Sequence, residues 1–267
     1  MNPSARVALF GLIVVATALG GCQRNLTTGS ISRTAVPPPA VAQGGSAAPS
    51  QEQLTYAARL QKDFKRNPDN PDVALAFAES LREIGRESDV AGVLEMASAK
   101  APGNPALLSA YGRQVLRDGR PGDALAILKE AEAAGARDAR VYSAQGAALD
   151  QLGRSGEARK RYEHALTLDP NNSTVLANLG LSYALSDDID KAEATLRRAA
   201  SDPAAHPKVR QNLALVLAMQ GKFREAETVA SRDLSPDDVA VNMAYLKKMM
   251  SSPNRWDQLK GIDGATG

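Results

Sequence analysis

Side chains able to do covalent or metal chemistry are scarce in this chain of 267 residues. It contains one cysteine, Cys22, and two histidines, His164 and His206. A metal site needs several ligands, and an activated nucleophile needs a base beside it. The glycines are spread along the chain and are not gathered in a phosphate-binding loop. We therefore expect no catalytic residue, no metal site and no cofactor, and interpret the chain as a non-enzyme.

Cys22 stands directly after a short apolar segment. Arg6 precedes an apolar run over residues 7–19, which is too short to cross a bilayer and is typical of a signal peptide covering residues 1–21. The run ends in the sequence LGGC, which resembles a bacterial lipobox, where the cysteine is lipidated and becomes the new N-terminus. The alternative is an ordinary secretory signal that carries a cysteine by chance.

The lipobox resemblance implies attachment to a membrane through lipid on Cys22. Gln23, rather than an aspartate, follows the cysteine, and by resemblance to lipoprotein sorting this favours the periplasmic face of the outer membrane. Residues 22–50 are rich in proline, glycine, serine and alanine, a composition typical of a disordered linker. A flexible linker of this length spans roughly 30 Å. The sequence thus predicts a folded part held at some distance from the membrane.

A period of 34 residues organises the rest of the chain. Each period reads as two amphipathic helices separated by a tight turn, with small residues where the two helices approach closely. The turn residues are Gly85, Gly119, Gly153, Asp187 and Gly221. The small residues of the first helices are Ala78, Gly112, Gly146, Gly180 and Ala214. The five units are residues 71–104, 105–138, 139–172, 173–206 and 207–234.

The period and the pattern of small residues resemble the tetratricopeptide repeat. The resemblance implies an all-α fold, a right-handed α-solenoid of about five repeats over residues 51–250. Amphipathic segments at residues 51–66 and 236–250 would cap its two ends. The tail over residues 251–267 contains Trp256, which either folds back on the last helix or anchors a partner.

The same resemblance implies a concave groove lined by positions 2, 5, 6, 9, 12 and 13 of each unit. In the first two units these positions give a charged end, in which we expect Arg82, Arg113 and Arg117 to bind. In the last two units they give a largely apolar floor of Leu181, Leu185, Leu215 and Met219. The near-balance of charges, +2 overall, gives no footprint for nucleic acid, so we expect protein partners.

Three asparagines recur along the predicted groove. They are Asn178, Asn212 and Asn242, in the sequences NLG, NLA and NMA. An asparagine amide both donates and accepts, so the series could pair with the backbone of a bound peptide. The alternative is that these side chains only link neighbouring repeats.

The order of segments resembles one particular family. A lipobox, a spacer containing TTGSI, five repeats and a tryptophan-containing tail are similar to the TadD family of lipoproteins, which serve the Tad (Flp) pilus assembly apparatus of Gram-negative bacteria. The resemblance implies a pilotin-like scaffold whose partners are the outer-membrane secretin or other pilus components. The alternative is an adaptor lipoprotein of another envelope machine, for outer-membrane protein assembly or for scaffolding of peptidoglycan enzymes.

Overall fold

The computed structural model describes residues 48–251, and every regular element in that range is an α-helix. The all-α prediction is therefore confirmed. The helices are α1 Gln51–Arg66, α2 Pro71–Glu83, α3 Glu87–Lys100, α4 Pro105–Arg117, α5 Pro121–Ala133, α6 Ala139–Gln151, α7 Ser155–Leu168, α8 Ser173–Leu185, α9 Ile189–Ala200, α10 Pro207–Met219, α11 Phe223–Ala230 and α12 Pro236–Met250. The even-numbered helices α2 to α10 are the first helices of the five units, and α3 to α11 are the second helices.

A side chain caps the start of every first helix. The carboxylate of Asp138, for example, accepts hydrogen bonds from the backbone of Arg140 and Val141 at 2.8 and 3.0 Å. Such a cap satisfies backbone N–H groups that have no partner inside the helix. The capping residues are Asn70, Asn104, Asp138, Asn172 and His206. His206 therefore has a structural role as the cap of α10.

The turn inside each unit needs a residue with positive φ. In the third unit Gly153 has φ +73°, and the N–H of Arg154 donates to the carbonyl of Leu149 at 2.8 Å, which closes the helix end. Glycine adopts this conformation without strain. In the fourth unit Asp187 takes its place with φ 62°, the one non-glycine with positive φ among the described residues. The turn residues read from the sequence are thus in the predicted places.

The small residue at position 8 makes room for a large side chain of the second helix. A Cβ atom added to Gly146 would lie 2.6 Å from the ring of Tyr162, which is fully buried. A Cβ atom added to Gly112 would likewise lie 2.7 Å from Cγ of Leu128, and one added to Gly180 would lie 2.7 Å from Cγ of Leu196. The glycine therefore accepts a side chain, whereas the sequence alone suggested only a close approach of the two helices.

The first helices lie side by side along one face of the stack. The backbone of each approaches that of the first helix of the next unit, whereas neighbouring second helices are joined only through long side chains such as Arg161 and Glu132. Because consecutive helices are closer on the inner side of a curved stack, the first helices form its concave face. At the ends of the described range, α1 contacts α2 alone, and α12 contacts α10 and α11.

The contact between Gly146 and Tyr162 predicts opposite effects for two alanine substitutions. We expect Gly146→Ala to lower the free energy of unfolding by about 1–3 kcal/mol, because the buried ring has no room to move. Gly92→Ala should raise it by about 0.5–1 kcal/mol, because Gly92 lies inside α3 with nothing within 4 Å of an added Cβ. Urea unfolding followed by circular dichroism measures both. Equal effects of the two substitutions would contradict the packing described.

Candidate binding groove

Charged side chains of both signs line the concave face in its first two units. Arg82 is half-buried, and its Nη1 lies 2.7 Å from Oε2 of Glu79. The buried amide of Gln114 joins two units there, because its Oε1 accepts from Arg82 Nη2 at 3.3 Å and from Arg117 Nε at 3.2 Å. The structure thus brings two of the predicted groove arginines to one shared acceptor.

Arg113 lies within a cluster of like charges. Burial lowers the pKa of its guanidinium, which shows that the cation is partly removed from water. The charges that lower this pKa further belong to Arg140, Arg117 and Arg82. Asp138, which caps α6, acts in the opposite direction. The four arginines, here called the arginine cluster, repel one another and would be stabilised by an anionic group.

Arg140 was not among the site residues expected from the sequence. It is exposed and lies in the first turn of α6, at position 2 of the third unit. Position 2 is one of the groove-lining positions implied by the repeat resemblance, so the 34-residue period already placed Arg140 in the groove. Only the charge coupling to Arg113 shows that Arg140 extends the arginine cluster into a third unit.

The apolar end of the concave face lies on α8 and α10. The four predicted floor residues are all half-buried, so part of each side chain stays accessible to a ligand. They are Leu181, Leu185, Leu215 and Met219. Half-buried aliphatic side chains in a concavity can bury further surface against a partner, at about 25 cal/mol per Å².

The three asparagines are not equivalent in the structure. Nδ2 of Asn178 donates to Oγ of Ser143 in the preceding unit at 3.3 Å, which is the inter-repeat use left open by the sequence. Asn212, also half-buried, makes no side-chain hydrogen bond to another described residue. Asn242 is half-buried on α12. Of the three, Asn212 has the amide best placed to serve a ligand.

A buried carboxyl group below the groove was missed by the sequence analysis. Asp150, at position 12 of the third unit, is only 3% exposed, and its Oδ1 accepts from the hydroxyl of Ser182 at 2.9 Å. Burial raises the pKa of Asp150 to about 6, although the hydroxyls of Ser155, Ser182 and Tyr162 and the charge of Arg159 act to lower it. The repeat resemblance implied that position 12 lines the groove, but Ala184 and Ala218 at the same position are also buried, so this part of the expected lining is wrong in the last three units.

Models of known families match two parts of the stack. Residues 151–204 and residues 209–232 each match a tetratricopeptide-repeat family. These two segments are thus identified as tetratricopeptide repeats. Among curated proteins, none matches the sequence.

Solved structures with the same fold agree with this assignment. TTC0263, a thermophilic TPR protein of Thermus thermophilus, is 24% identical with a TM-score of 0.57, over 69% of this chain and 99% of that one. YrrB, a TPR protein with an unusual peptide-binding site, is 16% identical with a TM-score of 0.51, over 72% and 99%. The APC/C hetero-tetramer Cut9–Hcn1 is 18% identical with a TM-score of 0.63, over 75% and 40%. At these identities the likeness shows the fold.

Several predicted features lie outside the described residues. They are the signal peptide, Cys22, the linker up to residue 47, and Trp256. Within residues 48–251 no helix combines the length and the apolar character needed to span a membrane. In the same range no group of three or more His, Cys, Asp or Glu side chains is placed to hold a metal ion.

The buried carboxyl of the third repeat predicts a pH-dependent stability. The folded pKa of Asp150, about 6, lies above its ordinary value of 3.8, so ionisation at higher pH opposes folding. We expect Asp150→Asn to raise the free energy of unfolding at pH 8 by about 1–3 kcal/mol. This gain should shrink as the pH falls through 6 toward 4, where the carboxyl is protonated in the folded wild-type protein. Thermal unfolding across this pH range measures it.

Glu163→Gln is the matched control for this prediction. Glu163 is exposed on α7, so its replacement removes one carboxylate without changing a buried site. The control should leave the pH profile of the melting temperature close to that of the wild type. If both variants changed the melting temperature by the same amount at every pH, the pH dependence of stability could not be assigned to Asp150.

Proposed function

We propose that this repeat protein is a lipid-anchored periplasmic scaffold of the Tad (Flp) pilus assembly system, resembling TadD and acting like a pilotin. Its concave groove would bind a segment of the outer-membrane secretin or of another pilus component. One observation carries the binding role, namely the continuous inner face of five first helices, which holds the arginine cluster toward one end and half-buried apolar side chains at the other.

The two ends of the groove define the chemistry of the bound segment. The arginine cluster calls for acidic side chains or a terminal carboxylate, since charge-assisted bonds from arginine are the strong ones. The accessible leucines and Met219 at the other end call for apolar side chains. A suitable ligand is therefore an acidic segment followed or preceded by aliphatic residues. The structural neighbour YrrB carries a peptide-binding site on the same fold, which supports this use.

The proposed lipid anchor rests on the LGGC sequence that ends at Cys22. Lipid on Cys22 would hold the repeats at the membrane, and the linker that follows would let the groove reach a neighbouring protein. Tethering raises the effective concentration of the groove near a membrane-bound secretin without any new contact. A modest affinity in the groove would then suffice for capture.

Charge reversal in the arginine cluster tests the proposed function. Arg113→Glu with Arg140→Glu should lower the affinity for an acidic secretin segment at least about tenfold, because attractive charges become repulsive. The lipidated protein is recovered from envelope extracts, and the proteins that follow it are quantified by mass spectrometry. The secretin should be enriched with the wild type and lost with the double variant.

Lys160→Glu with Arg224→Glu is the matched control. Both residues are exposed on second helices, so this variant makes the same change in net charge away from the groove. Equal loss in the two variants would show that net charge, and not the groove, governs capture. Enrichment of outer-membrane assembly factors or peptidoglycan enzymes in place of a secretin would reject the pilus role in favour of another envelope machine.

The lipid anchor predicts the outcome of one further substitution. With Cys22→Ser we expect the protein to leave the membrane fraction, because no acyl chain can then be attached. Fractionation of cells followed by immunoblotting measures the distribution, and salt washing separates lipid anchoring from electrostatic adsorption. A variant that stays in the salt-washed membranes would contradict the anchor.

A further inference from the structure

The two ends of the solenoid are incomplete in complementary ways. Among residues 48–251, helix α1 contacts only α2, as a second helix would if its own first helix were missing. Helix α12 contacts α10 and α11, as a first helix would if its own second helix were missing. One end thus offers a lone second helix, and the other offers a lone first helix.

The register of the sequence supports this reading at the N-terminal end. Tyr56 and Leu60 lie 34 residues before Val90 and Leu94, which occupy positions 20 and 24 of the first unit. Position 20 is 0% exposed in all five units, whereas Tyr56 is 50% exposed. The side chains that bury this position come from the first helix of the same unit. The register would place that helix over residues 37–49, whose sequence contains four prolines and two glycines and is a poor helix former.

The C-terminal end shows the matching deficit. Aligning Asn242 with Asn178 and Asn212 places Ala244 at position 8, the small-residue position. In the second, third and fourth units the glycine at this position lies under the large side chain at position 24 of the second helix, whereas Ala244 is exposed. The counterpart of that side chain in α1 is Leu60, which is 9% exposed, whereas Leu128, Tyr162 and Leu196 are 0% exposed.

Charge also favours a pairing of these two helices. The two helices of one unit run antiparallel, so a paired α12 would place its last turn beside the first turn of α1. The last turn of α12 carries Lys247 and Lys248, and the first turn of α1 carries Glu52. At the opposite end of the pair, Asp237 and Asp238 of α12 would face Lys65 and Arg66 of α1.

We propose that α12 of one copy packs on α1 of a second copy and that the two form a composite sixth repeat. The occupant of each exposed end is thus another molecule of this chain, arranged head to tail. Such a contact is heterologous and does not close on itself, so it builds linear chains whose length rises with concentration. The concave face would then continue from one molecule into the next. This association does not depend on which partner binds in the groove.

The composite repeat would be weaker than an internal one. Lys247 stands at position 11 and Asp63 at position 27, where complete units carry buried apolar residues such as Leu149 and Ala165. These two polar residues keep the free ends soluble, as terminal repeats require. Replacing Lys247 by leucine should therefore strengthen the association.

Sedimentation velocity over a range of protein concentration tests the proposal, with the full chain carrying Cys22→Ser to remove the native thiol. The average sedimentation coefficient should rise with concentration. Ala244→Leu should abolish the rise, because position 8 leaves no room for a larger side chain. Ala126→Leu, an exposed alanine on α5, is the matched control and should leave it intact. A monomer at every concentration would overturn the proposal, as would equal behaviour of the two leucine variants.

Cross-linking identifies which ends meet. In the same background, a mixture of Tyr56→Cys and Ala244→Cys copies should yield a bismaleimide-linked heterodimer about tenfold faster than a mixture of Tyr56→Cys and Ala126→Cys copies, because docking raises the effective concentration of the thiols. Linking of Tyr56→Cys to itself alone would instead show a head-to-head dimer and overturn the head-to-tail arrangement. Linking of Ala244→Cys to Tyr56→Cys only after removal of residues 252–267 would show that the tail occupies this end and would overturn the proposal for the full chain.

Discussion

The structure depends on the fact that a single helical hairpin cannot bury both of its faces. In the second, third and fourth units the glycine at position 8 receives a large side chain of the second helix, and between units the next first helix packs against the hairpin. Tyr162 shows the constraint most clearly, since its whole ring lies against Gly146 and is withdrawn from water. Stability in such a stack is a sum of nearest-neighbour terms, so each unit is ordered by those beside it.

The same constraint produces the groove. First helices must lie close enough to contact one another, whereas second helices are spread apart, and the stack curves as a result. The residues left on the inner face are then free to vary without loss of packing. The arginine cluster at one end and the half-buried leucines at the other are such residues. They are the part of the molecule in which affinity for a partner can be encoded.

Much of this fold could be predicted from the sequence, because the same pattern of turn residues and small residues recurs in all five units. The turn glycines and the small residues of the first helices follow from spacing and residue type alone, and even Asp187 was recognisable as a turn residue by its register. The candidate site was less predictable. The bond from Asn178 to Ser143 and the burial of Asp150 depend on how neighbouring units are rotated, which no single repeat specifies. Arg140 stands at a groove position of the register, but its charge coupling to Arg113 of the preceding unit could be seen only in the structure.

Site-specific photo-cross-linking in cells tests the central claim, that the inner face is the surface that holds a partner. A photoreactive residue replaces Asn212, half-buried on the inner helix α10, or Glu163, exposed on the outer helix α7. The account predicts that a cross-linked adduct with one envelope protein forms from position 212 and not from position 163. An adduct that forms from the outer position, with none from the inner one, would contradict it.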